Sequence, residues 1–380
     1  MGTDNVKRQI YFISKSANWQ KYRFEFFNKL AHSYDLRVKI LTTGKLKSYL
    51  GSNDFVKYEI FKSFLPVTWK LSFFPGALIY IIKNRPYAIV AQNDLSGITE
   101  YCVLLLSKVL RIKFVFWTLG YDHFPHSNSL FYRGREGLLL FLAKYADSII
   151  TYSKKGEDYL VDKKVAAPKI VTAPNTLDTD RIFKEISCLK NRYDERELFK
   201  QLGFSPNDKI VVYSGRLQKR KKIDLGIRSI NELAKIDNNI RYLIVGSGPE
   251  EDYLKRISGE NIVFKGEIYD SEAISKYFLI SKLFLCPGWT GLAIVHAFCF
   301  GLPFITVKGH HAPEIQYLVH GFNGYYLEEN EISRIDVYVK ELIYNETLSS
   351  RMSKNAFKTA QNEASIRHML SGFYRAILED

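Results

Sequence analysis

Short runs rich in β-branched and aromatic residues alternate with runs of helical spacing along almost the whole chain, and the alternation occurs twice. Strand-like runs fall at 9–14, 36–42, 88–92, 113–118, 148–152 and 169–173, and a second series at 209–214, 240–245, 261–265, 282–286 and 303–307. Between them, 22–33, 99–111, 137–146, 223–236 and 250–257 carry apolar residues at helical spacing. Strands separated by helices must run parallel, because each helix carries the chain back to the end where it began. The expected fold class is therefore α/β, with two Rossmann-like domains. A chain of 380 residues is also too long for one ordinary core. Expected limits are 1–185 for the first domain and 186–365 for the second. A last helix at 366–380 is aromatic on one face and expected to pack back on the first domain.

Charge separates the two halves. Residues 1–190 hold 29 Lys and Arg against 16 Asp and Glu, and residues 191–380 hold 25 against 24. In the stretch 45–83, Lys47, Lys57, Lys62 and Lys70 interleave with Tyr49, Phe55, Phe61, Phe64, Trp69, Phe73 and Phe74. Basic and aromatic residues so mixed suit an anionic membrane surface or nucleic acid. No nucleic-acid-binding signature accompanies them, so the membrane is the expected partner and nucleic acid is not. A solvated basic face over an aromatic core is the plainer alternative. The longest stretch nearly free of charge, 283–307, is broken by Pro287, Pro303 and three glycines into strand, loop, short helix and strand, which argues against a transmembrane span. Cys102, Cys188, Cys286 and Cys299 form no CxxC pair and read as free thiols in a reducing compartment. The N-terminus enters a strand-like run directly, so no signal peptide is expected.

The chemistry concentrates in the second half. VVYSGRLQKRKKIDLGIRSI (211–230) is a strand, then Gly215-Arg216-Leu217, a basic turn and a helix, an arrangement able to meet phosphate oxygens. In LIVGSGPEEDYL (243–254) the GSG is only a fragment of a dinucleotide fingerprint. Gly288-Trp289-Thr290-Gly291 precedes the helix 292–300, and HHAPEIQ (310–316) ends in a helix start with Glu314 in its first turn.

These segments resemble, in order, the donor-binding domain of GT-B glycosyltransferases of family 4. GRLQKRK is similar to the family's GRLxxxK, FKG (264–266) to its FLG, and TGLAIVHAFCFGLPFIT to GFGLxxxEAMAxGxPVI. PE (313–314) and GFNGYYL (321–327) continue the match, and APNTLDTDRIF (173–183) is similar to PNGVDxxxF. The resemblance implies a GT-B fold whose two domains face a cleft, the first binding acceptor and the second a nucleotide-sugar. It puts Arg216 and Lys221 at the donor diphosphate, and with the other residues of these loops the expected donor site is Gly215, Arg216, Lys221, Gly288, Thr290, Gly291, Leu292, His296, His311 and Glu314.

Several places depart from the family, among them its donor-site carboxylates. Its paired glutamates, seven residues apart, align with Gly288 and His296. A histidine can still bond a ribose hydroxyl, whereas Gly288 cannot replace a carboxylate near the sugar. In the first domain, FWTLGYDHF (116–124) places Asp122 and His123, a close acid–histidine pair, after a strand; the resemblance assigns the catalytic role to His123, and Asp122 beside it is the second catalytic candidate. Tyr22 and Arg23 are expected to grip acceptor or phosphate. The expected reaction is a retaining, metal-independent sugar transfer from a nucleoside diphosphate to a glycan or lipid-linked glycan in surface polysaccharide, lipopolysaccharide or glycoconjugate synthesis. The nucleotide-sugar is a substrate; no cofactor and no metal are expected. The expected location is cytoplasmic, peripheral on the inner face of the membrane. A non-catalytic binding protein on this fold and a nucleotide-sugar epimerase are the alternatives.

Overall fold

Every strand pairing in both sheets is parallel, as strand–helix alternation requires. The structure, a computed structural model, describes residues 7–14, 21–43, 55–64, 71–93, 97–121 and 130–379. The chain divides into two compact units, Met1–Pro174 with Arg367–Asp380, and Asn175–Ile366.

In unit 1 the elements run β1 (Gln9–Ser14), α1 (Lys21–Ser33), β2 (Arg37–Thr43), β3 (Val56–Phe61), α2 (Pro75–Asn84) and β4 (Ala88–Gln92). They continue as α3 (Ile98–Leu110), β5 (Lys113–Thr118), α4 (Leu130–Ala143), β6 (Ser148–Thr151), α5 (Lys154–Asp162) and β7 (Ile170–Thr172). Among the described residues the sheet has seven strands in the order β3-β2-β1-β4-β5-β6-β7. Side chains alternate across it. Tyr11, Ile13, Ile89, Ala91, Phe114 and Phe116 face the helices α2, α3, α4 and α5, while Phe12 and Trp117 meet α1 through Phe26 and Phe27.

That second face is completed by the chain's last helix. Phe373, fully buried, lies 4.7 Å from Phe26 and 4.9 Å from Trp117 between ring centroids. Gly372 is required where the helix crosses β7: a Cβ there would lie 2.6 Å from that of Ala173. Phe373→Ala is expected to cost about 3–5 kcal/mol, the usual loss for a buried aromatic. Denaturant unfolding checks this, and an unchanged midpoint would show that the helix does not hold unit 1 together.

Unit 2 runs α6 (Thr179–Arg192), α7 (Glu195–Gln201), β8 (Lys209–Ser214), α8 (Ile223–Ala234), β9 (Ile240–Val245), α9 (Glu251–Arg256), β10 (Ile262–Gly266) and α10 (Ser271–Leu279). Then come β11 (Ser281–Leu285), α11 (Ala293–Cys299), β12 (Phe304–Val307), β13 (Gly324–Leu327), α12 (Ile335–Tyr344) and α13 (Glu346–Asn362). The final helix, α14 (Ile366–Leu378), returns the chain to unit 1. The six strands lie in the order β10-β9-β8-β11-β12-β13.

Two features differ from the reading of the sequence. A limit at residue 185 would cut through α6. This helix instead belongs wholly to unit 2, because Ile182 and Ile186 enter its core and the Thr179 hydroxyl accepts from the Ile366 amide. The strands β3 and β13 are additional to those expected. β3 borders the sheet on one side only, and its exposed Lys57 and Ile60 blur the apolar alternation that marks a strand. Among the described residues no helix is long and apolar enough to cross a membrane.

Candidate active site

In unit 2 the chain leaves β8 towards β9 and β10, then returns on the other side of β8 as β11. The loops after β8 and β11 therefore part at the carboxyl ends of neighbouring strands, the switch point where open α/β sheets take their ligands. Both of the charged or glycine-rich segments singled out above, GRLQKRK and GWTG, emerge there.

The first of these loops is fixed by its neighbour after β9. Gly215 donates to the Val245 carbonyl at 3.0 Å and Leu217 to that of Ser247 at 2.8 Å. The Tyr213 hydroxyl donates to the Arg216 carbonyl at 3.1 Å. A Cβ on Gly246 would lie 2.0 Å from the Gly215 carbonyl oxygen, in a backbone at φ +135° that only glycine adopts freely. The GSG segment thus serves close backbone packing beneath Gly215. Arg216 is exposed, and its charge helps to hold the Glu267 carboxyl below its usual range, after the hydrogen bonds from Tyr269 and Ser247.

The basic turn is strapped to the glycine loop. The carbonyls of Lys221 and Arg220 accept from the amides of Gly288 and Trp289, each at 2.8 Å. The indole of Trp289 then carries the Arg220 guanidinium 4.0 Å and the Lys221 ammonium 4.6 Å from its ring centroid. Lys221 is only 8% exposed. Burial lowers its pKa from the ordinary lysine value, and the groups acting on its charge are Cys286 and Arg220, not a carboxylate. A buried ammonium without an anionic neighbour is costly, a cost that any anion placed beside it would reduce.

His311 closes the other side. Its Nδ1 accepts from the Thr290 amide at 3.2 Å and its Nε2 donates to the Val307 carbonyl at 2.8 Å, so the ring is neutral with its proton on Nε2. Burial lowers its pKa, and Lys221, His310 and Lys222 add to the effect. Thr290 is fully buried, and its hydroxyl has no hydrogen-bond partner among the described residues. Gly291 lies against Glu314: a Cβ there would sit 3.3 Å from Glu314 Oε2. Glu314 itself is buried, and its Oε1 accepts from the side-chain amide of Asn175. Leu292 is half-buried against the unit 2 core.

The structure therefore brings Gly215, Lys221, Gly288, Thr290, Gly291, His311 and Glu314 to one end of one sheet. His296 has different surroundings. Its ring lies 4.4 Å from that of Phe278 and 5.4 Å from that of Phe300, and burial pushes its pKa down to about 4, with Glu185 opposing. It is a neutral ring tilted against Phe278 and edge-on to Phe300. Of the unit 1 candidates, Asp122 and His123 lie outside the described residues, as does the side chain of Tyr22. Arg23 is buried, with its guanidinium 4.3 Å from the Trp117 ring and 5.4 Å from that of Tyr152.

Asn175, Trp289 and Arg220 were not among the expected site residues. Asn175 stood out only as part of a segment closing the first domain, yet it holds Glu314 and accepts the Tyr317 hydroxyl on its carbonyl at 3.1 Å. A polar residue directly after Pro174, at the end of a strand-like run, was the available signal. For Trp289, the signal was an aromatic residue set between two glycines of a loop that also follows a strand.

Comparison with known proteins agrees with this geometry. Residues 194–359 match the model of the family described as glycosyl transferases group 1. Protein CapJ of Staphylococcus aureus is 30% identical over 315 residues, 79% of this chain and 75% of CapJ. The capsular polysaccharide biosynthesis glycosyltransferase CapM of the same organism is 26% identical over 248 residues, 62% of this chain and 63% of CapM. The crystal structure of Anabaena HepE in complex with UDP superposes with a TM-score of 0.72 at 18% identity, covering 97% of this chain and 99% of HepE. With its two parallel sheets of seven and six strands and its cationic switch-point loops, the chain is a GT-B glycosyltransferase and belongs to the glycosyl transferases group 1 family.

Proposed function

We propose that the enzyme transfers a sugar from a nucleoside diphosphate to a hydroxyl of a glycan or lipid-linked glycan in surface polysaccharide synthesis. The observation that carries this reading is Lys221, buried at the switch point beside Arg220 and the Trp289–Gly291 loop with no carboxylate acting on its charge. The capsular role in the name of CapM and the UDP bound to HepE support it.

The difficult step is departure of the diphosphate as positive charge builds on the anomeric carbon. Fixed cations near the leaving oxygens lower that barrier without reorganising during the reaction. Lys221 and Arg216 supply that charge, and in this reading no step calls on a metal ion. His311, held neutral by its two hydrogen bonds, orients the Thr290 amide and leaves the cationic work to the lysine and arginine. The sugar leaves and arrives on one face, with retention. The protein works peripherally on an anionic membrane, at its cytoplasmic face, where the basic first half of the chain meets the lipid that carries the acceptor.

A thermal-shift panel of nucleoside diphosphates tests the donor site. One nucleotide, at about a hundred times its dissociation constant, is expected to raise the unfolding midpoint by roughly 5–10 °C. Arg216→Ala is expected to abolish that rise without lowering the midpoint of the free protein, because Arg216 is exposed. Equal shifts in the variant and the wild type would remove Arg216 from the diphosphate.

A further inference from the structure

Helices α2, α3 and α4 cover the same face of the unit 1 sheet. Their inner residues, Ala77 and Ile81, Val103 and Leu104, and Ala143, already belong to the core beneath them. Their outer faces should therefore be polar, and they are not. Ile79 and Ile82 on α2, Leu105 and Val109 on α3, and Leu138 and Phe141 on α4 all point to solvent, with Val109 80%, Leu105 67% and Phe141 54% exposed. On each helix these residues lie at or beyond its middle, and the end of each helix or the turn after it carries basic residues: Lys83 and Arg85, Lys108 (paired with Asp147) and Arg111, and Lys144. Lys108, Arg111, Lys113 and Arg375, four cations against the two carboxylates of Asp147 and Glu379, further line a groove of about 720 Å³.

An apolar surface of this kind, assembled from three helices and bordered by lysine and arginine, combines the two requirements for lying on an anionic bilayer. Apolar side chains enter the boundary between headgroups and acyl chains, and long basic side chains reach back to the phosphates. Each such cation near an anionic leaflet adds about 1 kcal/mol to binding. The first half of the chain, with 29 basic against 16 acidic residues, has the matching long-range charge.

We propose that the outer faces of α2, α3 and α4 are the surface by which unit 1 docks on an anionic lipid bilayer, with Leu105, Val109 and Phe141 inserted and the basic residues at the helix ends on the headgroups. This deepens the membrane part of the function proposed above and rests on it. It extends the contact from the basic, aromatic stretch at 45–83, whose last residues belong to α2, to the helices α3 and α4.

Co-sedimentation of the full chain with phosphatidylcholine–phosphatidylglycerol vesicles, and with phosphatidylcholine alone, tests it. The wild type is expected to bind the anionic vesicles, more weakly as salt rises, and the neutral ones poorly. The combined variant L105S, V109S and F141S removes exposed apolar groups only; it is expected to keep the nucleotide thermal shift and to lose at least tenfold in vesicle affinity. Charge reversal by K83E, R111E and K144E is expected to do the same. Wild-type binding that survives both variants overturns this surface and leaves membrane association standing. No binding by the wild type overturns both. A wild type that is dimeric by light scattering, becomes monomeric in the serine variant and ignores vesicles would mark this face as a contact between two copies of the chain, and so overturn the proposal.

Discussion

Lys221→Met is expected to slow sugar transfer by about 10²–10³-fold, the usual cost of removing one fixed charge from a site that stabilises a developing anion. Methionine keeps most of the lysine stem, so the contact with Trp289 persists while the charge 4.6 Å from that ring disappears. The free protein should not suffer, since burying an ammonium with no carboxylate near it costs stability. Loss of turnover without loss of thermal stability is therefore the signature to look for. A variant that turns over like the wild type would show that Lys221 faces no transition-state charge.

The same residue sets a pH dependence. Burial lowers the Lys221 pKa in the folded protein below that of the unfolded chain. Between the two values the unfolded chain binds more protons, so the contribution of Lys221 to stability rises with pH through that window. Donor affinity moves the opposite way, because a diphosphate prefers the charged lysine. It is expected to fall as pH climbs through the lowered value, below the ordinary lysine range. Binding titrations at several alkaline pH values check this, and the fall should vanish in Lys221→Met.

Gly288→Ala is the second large effect. The resemblance in sequence leads to the expectation of a carboxylate at position 288, so its glycine could pass for simple loss of a functional group. The backbone shows a different cause. A Cβ at 288 would lie 2.2 Å from the Arg220 carbonyl oxygen and 2.5 Å from the Lys221 carbonyl carbon. Neither atom is the end of a flexible side chain, so the strap between the two loops has to open. The expected cost is about 1–3 kcal/mol, together with loss of the nucleotide thermal shift, since Lys221 and the amides of residues 288 and 289 would no longer be held together. Gly134→Ala is the control: it sits on the exposed face of α4 with nothing within 4 Å of an added Cβ. Equal stability of the two variants would show that the loops are not tightly strapped. By the same geometry Gly288→Glu is expected to damage the site and not to restore a family-like one.

Much of this molecule is written locally. IYFI, KIVVYS and RYLIV are strands because their β-branched and aromatic residues fill both faces of a covered parallel sheet, and the helices between them follow from apolar spacing. The place of Arg216 and Lys221 in the loop after β8 was legible, because a glycine and a run of charge directly after a β-branched run mark the end of a strand. The edge strand β3 was less legible, because a strand paired on one side need not be apolar throughout.

What the tertiary structure decided are the pairings between distant segments. Asn175 meets Glu314 across 139 positions of sequence. The Lys221 carbonyl meets the Gly288 amide, and that contact makes glycine obligatory where a carboxylate was expected. The expectation of a ribose contact at residue 296 came from its place on α11; that its ring packs against Phe278 and Phe300, from α10 and from the turn after α11, came only with the fold. Periodicity and composition encode what a segment does with its nearest neighbours. Which backbone atoms come within 3 Å of one another is set only when parallel strands stack in their register and bring the ends of β8, β9 and β11 together.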